Sequence, residues 1–227
     1  MWRDVVIGAK AIAPWLLGVV PYGLVIGVRS AQASIPTLAG WLTGPTIYSG
    51  SAQLSSIELL DAGASPAIVI AAALAINARL ILYSATMAAH WAGRPRWWQA
   101  VAAYLLVDPS LAVGVDAYER DQDPARAHRQ YIGGAVVLWI AWLAAIGVGA
   151  AIGGRVPAGL RLEFVVPLFL IGEVVLKVTS RATSYAVITA VATAFVATVM
   201  PLHLGPLLAI IAGVTVGIAT ARKSAAR

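Results

Sequence analysis

Residues 43 to 83 read TGPTIYSGSAQLSSIELLDAGASPAIVIAAALAINARLILY, and they decide what kind of protein this is. The stretch opens as an apolar run interrupted by Gly44-Pro45 and by Ser49-Gly50-Ser51-Ala52-Gln53. It turns between Asp61 and Pro66, then continues as a second apolar run carrying Asn77 and Arg79. Each run is about as long as the roughly 20 residues a helix needs to cross a bilayer, yet polar groups sit where lipid tails should be. A cation near the centre of such a run costs about 2.5 to 3.5 kcal/mol on insertion scales, so it faces a cavity, a bundle interior or a partner.

The rest of the chain is built the same way. Of 227 residues 60% are hydrophobic and 11% charged, against roughly 25% charged in soluble domains. The expected class is an all-α polytopic membrane protein forming one transmembrane domain over 1–227, with no separate catalytic module. Runs bounded by turn residues predict about eight spans, some broken: 11–29, 38–60, 65–89, 97–117, 132–152, 162–177, 183–201 and 204–221. The N-terminal run reads as a retained first helix, because it reaches spanning length with no small-residue cleavage site. The sixth span is short and carries Glu173 and Lys177 four residues apart, where they can neutralise each other.

The formal charge of +6 reads as a positive-inside bias rather than a nucleic-acid surface. Eight spans place Arg3, Lys10, Arg120, Arg126, Arg129, Lys177, Arg181, Arg222, Lys223 and Arg227 on the side of both termini. They leave Arg29, Arg94, Arg96, Arg155 and Arg161 on the other. Both termini are therefore expected in the cytoplasm of a multi-pass inner-membrane protein. Cysteine is absent, so disulfides and thiolate chemistry are excluded.

Breakers recur inside the spans: Pro21-Tyr22-Gly23 in the first, Gly50 in the second, Asp108-Pro109 in the fourth and Pro167 in the sixth. A proline removes a backbone donor and frees a carbonyl one turn earlier, which must then find protein or cavity water. Transporters expose backbone to substrates near the bilayer midplane through such discontinuous helices, although proline and glycine are also commoner in membrane helices generally. Spans two and three, and spans six and seven, each form a hairpin with an interrupted first arm; their similarity is one of composition, without residue-level identity.

Arg79 shares a helix face with Tyr83 and Thr86. It suits capture of a carboxylate or a gating ion pair, and equally a permanent pair with Glu58 or Asp108 or a snorkelling side chain. Asp108, if unpaired in a span, has the raised pKa a proton carrier needs. Gly50 and Ser51 permit either a bare backbone beside a ligand or close helix packing, while Gln53 needs a partner. No paired-histidine motif exists, and no histidine falls mid-span to serve as a base for Ser51, so an enzyme is not expected; nor is a metal or another cofactor.

Gly50-Ser51-Ala52-Gln53, then Asn77-x-Arg79 about two dozen residues on, then Leu82-Tyr83-Ser84, resemble the AzlC family, large subunits of branched-chain amino acid exporters. Pro21-Tyr22-Gly23 and Leu160-Arg161-Leu162-Glu163-Phe164 extend the resemblance over nearly the whole chain. It implies a secondary exporter of leucine, isoleucine and valine, coupled to an ion gradient since no nucleotide-binding motif is present. It also implies a small AzlD-like membrane subunit as partner. The implied substrate site comprises Gly50, Ser51, Gln53, Asn77, Arg79 and Tyr83, with Asp108 and Glu173 for proton coupling. Two departures stand out: Leu80 occupies a position that is often His, and Pro109 replaces the second acid of an Asp-Glu pair. The competing readings are a channel or exporter for another small amphipathic solute, and a membrane assembly protein whose polar residues are structural.

Overall fold

The computed structural model describes residues 1–121, 123–155, 178, 180–196 and 205–225. Among them every regular element is a helix. In chain order these are α1 (Trp2–Gln32), α2 (Thr37–Ile47), α3 (Gly50–Asp61), α4 (Pro66–Asn77), α5 (Arg79–Trp91), α6 (Arg96–Tyr104), α7 (Asp108–Arg120), α8 (Pro124–Gly153), α9 (Arg181–Val196) and α10 (Gly205–Ala225). The chain divides into two compact units, Met1–Val166 and Pro167–Arg227.

The first unit is organised on α1 and α8. Both are long and apolar enough to cross a membrane. They run parallel: Gly8 lies on Gln130, Gly23 on Ala145, and Gly153 on Val28 and Ala31. Glycine is needed along this seam because the two backbones approach so closely. A Cβ at Gly27 would overlap the Ile146 carbonyl, and one at Gly149 the Leu24 carbonyl. The Pro21-Tyr22-Gly23 breaker does not break α1, which remains one helix through Pro14 and Pro21; its packing along α8 holds it together, and Gly23 serves the seam.

Parallel neighbours require the chain to return between them. That return is α4 and α5, apolar together and bent by 44° at a break between Asn77 and Arg79. The runs expected as spans two and four do something else. α2 begins beside the end of α1, where Gly40 meets Ser30, and runs inward until Gly44 reaches Leu143 and Ile146 of α8. After the break at Tyr48-Ser49, α3 starts at half height against Tyr22 and Trp142 and runs back out. The Ser34 backbone N–H donates to Asp61 Oδ1 at 2.6 Å, closing the hairpin at its base.

α6 and α7 form a second hairpin from the opposite end. Trp98 in the first turn of α6 and Tyr118 in the last turns of α7 both meet the His128 ring near the start of α8. At its inner tip Ser110 Oγ accepts from Val107 N–H at 2.8 Å and donates to the Leu105 carbonyl at 2.7 Å, satisfying the broken backbone.

Among the described residues the first unit therefore has three end-to-end elements and two re-entrant hairpins where the sequence reading expects five spans. The reason is length. Helices of 9 to 13 residues rise about 14 to 20 Å, short of the roughly 30 Å hydrocarbon layer. One consequence is that residues 92–95 lie at the same end as residues 121–123. Arg3, Arg94, Arg96, Arg120, Arg126 and Arg129 thus gather at the end of the N-terminus, where Arg129 Nε donates to Asp4 at 2.7 Å, and Arg29 and Arg155 lie at the other.

In the second unit α9 and α10 pack antiparallel, Gly213 against Ala186 and Ala190 and Gly217 against Ala186. The expected sixth span, with Pro167, Glu173 and Lys177, and the end of the seventh fall outside the described residues. Glu173 is therefore not assigned a position in any site.

Candidate functional site

The bend between α4 and α5 and the inner tip of the α6/α7 hairpin meet in one ion pair. Asp108 is the first residue of α7 and Pro109 the second. That order suits a helix start: proline's missing N–H is one of the unsatisfied donors of the first turn in any case, and an acid there faces the positive end of the helix dipole. Asp108-Pro109 is thus the beginning of a half-length helix and not an interruption within a span.

Arg79 is the first residue of α5 and Tyr83 lies one turn on, on the same face. Arg79 Nη1 is 2.9 Å from Asp108 Oδ2, and the Tyr83 hydroxyl donates to Asp108 Oδ1 at 2.8 Å. Both carboxylate oxygens are engaged. Of the alternatives open to Arg79, the structure realises the pair with Asp108 and not one with Glu58. The premise of an unpaired carboxylate at Asp108, on which its expected role as proton carrier rested, is not met. The aspartate side chain is 12% exposed and the arginine 36%, so the pair is sealed on the acid and open on the cation. Arg79 Nε and, just across the bend, Asn77 Oδ1 are buried with no hydrogen-bond partner.

A second cluster occupies the tip of the α2/α3 hairpin. Gln53 is fully buried; its Nε2 donates to Thr43 Oγ1 at 2.9 Å, bridging the two arms, and Thr43 Oγ1 donates to the Gly40 carbonyl at 2.6 Å. Gln53 Oε1, Ser49 Oγ and the Tyr48 hydroxyl are buried without partners. Gly50 is a packing glycine: a Cβ there would stand 2.5 Å from the Tyr22 ring and 3.2 Å from Trp142. Ser51 is half-exposed on the first turn of α3. Tyr48, with φ 39° and ψ 50°, holds the left-handed conformation that ends α2, at a cost of about 1 to 2 kcal/mol for a residue with a Cβ.

Tyr104 joins the two tips. Its hydroxyl donates to the Pro45 carbonyl at 2.6 Å and accepts from Trp139 Nε1 of α8 at 2.9 Å, and its ring lies 5.7 Å from that of Tyr48. Four residues later comes Asp108, so the short segment between α6 and α7 joins the residue of the tip contact to the acid of the ion pair. Of the residues expected to share a site, Arg79 and Tyr83 come together with Asp108, while Gly50 and Gln53 belong to the neighbouring tip. Tyr48, Thr43, Tyr104 and Trp139 were not anticipated. An aromatic residue in an apolar run carries no distinguishing signal until the fold shows that the run turns back beside it.

No curated protein and no solved structure matches the chain. A family model described as AzlC protein matches residues 14–156, more than half of the chain. The match runs from within α1 to just past α8, so it covers both hairpins, the bend and every candidate residue except Glu173. It is narrower than the resemblance read from the sequence, since residues 160–164 lie outside it. On this match, with both signature stretches inside it, the chain belongs to the AzlC family.

Proposed function

We propose that the chain is the large subunit of a secondary exporter of branched-chain amino acids in the cytoplasmic membrane, working beside a small AzlD-like membrane subunit. The family is associated with branched-chain amino acid export, and the observation that carries the reading to particular residues is the Arg79–Asp108 pair at a helix break. An amino acid crosses as a zwitterion and loses hydration at both charges. An internal pair of one guanidinium and one carboxylate is the complement of that charge pattern: the substrate carboxylate takes the planar fork of Arg79, and its ammonium takes Asp108. One internal ion pair is exchanged for two with the substrate, so the protein's own charges never stand alone in a low-dielectric site. The branched side chain needs only apolar wall, which the surrounding helices supply.

Export is coupled to an ion gradient in this reading, and the pair works as a gate that opens when substrate replaces it. The test is counterflow of labelled leucine, isoleucine and valine into proteoliposomes holding the chain with its small partner, with and without a proton gradient. Saturable exchange with mutual competition among the three is expected. Absence of counterflow for all three sinks the substrate assignment, and full transport by the single chain sinks the partner.

A further inference from the structure

The two hairpins enter from opposite ends and stop against each other. The tip of one presents the Pro45 carbonyl and the Tyr48 ring; the tip of the other presents Tyr104, which hydrogen-bonds the first and lies beside the second. We infer that this contact is a closed gate of the first unit, distinct from the ion pair, and that Tyr104 is its latch. What passes through the gate rests on the export reading, but the latch itself does not.

Two opposed sets of interactions make the contact a two-state element. Holding it shut are the Tyr104 hydroxyl's bonds to Pro45 and from Trp139 and the packing of Tyr48. Working against it are three polar atoms of the α2/α3 tip that are buried without partners: the Tyr48 hydroxyl, Ser49 Oγ and Gln53 Oε1. A buried donor or acceptor without a partner forfeits its hydration, and water or substrate entering between the tips restores it. The left-handed backbone at Tyr48 adds to the opposing side, since such a conformation persists only where surrounding contacts impose it. Tyr104 is 43% exposed, so the latch sits at the rim of the contact and can release without repacking the α1–α8 seam.

The segment 105–107 links the latch to the ion pair, because it joins Tyr104 to Asp108. When substrate draws Asp108 away from Arg79, the tip that carries Tyr104 is the segment that must move. Each hairpin is held at its base, by Ser34 on Asp61 in one and by His128 against Trp98 and Tyr118 in the other, so a tip that moves swings from that base.

The native chain has no cysteine, so a single thiol reports the gate directly. In membranes holding the full chain with its partner, Ser49→Cys places the thiol at the buried tip, where Ser49 is 4% exposed. A hydrophilic thiol reagent supplied to both faces should modify it slowly. Adding Tyr104→Phe keeps the ring and removes the hydroxyl, and the rate should rise about tenfold, the effect of losing a latch worth roughly one to two hydrogen bonds. Ser30→Cys, buried at the base of the hairpin, is the control and should stay protected in the same background. An unchanged rate at position 49 overturns the latch. So does an equal rise at positions 49 and 30, because Tyr104 would then hold the fold and not a gate. No substrate enters this measurement, so its failure leaves the export reading standing, and absence of leucine counterflow leaves the latch standing.

Discussion

Arg79 and Asp108 are 29 residues apart in the chain and 2.9 Å apart in space, each the first residue of a helix that begins inside the apolar part of the unit. Their pairing explains how two charges persist in a chain of this hydropathy: each is the other's counterion, and Tyr83 completes the carboxylate's hydrogen bonds. If the pair is also the substrate's docking point, Arg79→Lys should insert and fold normally yet weaken leucine binding about tenfold, because an ammonium keeps the charge but loses the fork. Arg79→Ala should nearly abolish binding. Equilibrium binding to the purified complex checks both, and leucine affinity unchanged in Arg79→Ala makes the pair structural.

Tyr83→Phe should leave the ion pair formed but remove a hydrogen bond to a charged group, a contribution of about 1.5 to 3 kcal/mol. Asp108→Asn should cost more, since it leaves the guanidinium without its counterion. The expected order of leucine affinity is parent, Tyr83→Phe, Asp108→Asn. Exchange and gradient-driven efflux should fall together in Asp108→Asn; loss of efflux alone would return Asp108 to the role of proton carrier.

Gly50→Ala should lower stability by about 1 to 3 kcal/mol through overpacking against Tyr22 and Trp142, read as an earlier melting transition in detergent. If the variant melts like the parent and binds leucine more weakly, Gly50 faces the ligand and not the two rings.

Labelling of single cysteines separates the re-entrant fold from eight spans, some of them broken. Ala92→Cys and Asp123→Cys should react from the same face, and Ser34→Cys and Ala62→Cys from the opposite one. Eight spans put positions 92 and 123 on opposite faces. From the arginine excess near the N-terminus the first pair is expected to react from the cytoplasm, and reaction of position 123 from outside reverses the orientation.

The base of the first hairpin is pH-dependent in a defined direction. The Ser34 backbone N–H holds the Asp61 carboxyl below its ordinary range. A depressed carboxylate stabilises the folded state fully above its unfolded pKa of about 3.9, and that contribution is lost as pH falls through the lower folded value. Exchange protection at the Ser34 amide should therefore fall in strong acid, and Asp61→Ala should remove it at neutral pH.

Composition and hydropathy by themselves determined that the chain is helical and membrane-embedded, because 60% hydrophobic residues with so few charges have no soluble packing. Spacing alone marked Gly50 to Gln53 and Asn77 to Tyr83 as the polar interruptions. What it could not decide was whether an apolar run of some 23 residues crosses once or turns back halfway, since two half-length helices have the same hydropathy as one full-length helix. Tertiary structure decided that, through contacts between distant residues: Ser34 with Asp61 at one base, Trp98 and Tyr118 with His128 at the other, and Tyr104 with Pro45 where the tips meet. The partner of Arg79 was open for the same reason. Glu58 and Asp108 are equally acidic in the sequence, and only the return of α7 from its tip sets one of them within hydrogen-bond distance of the guanidinium.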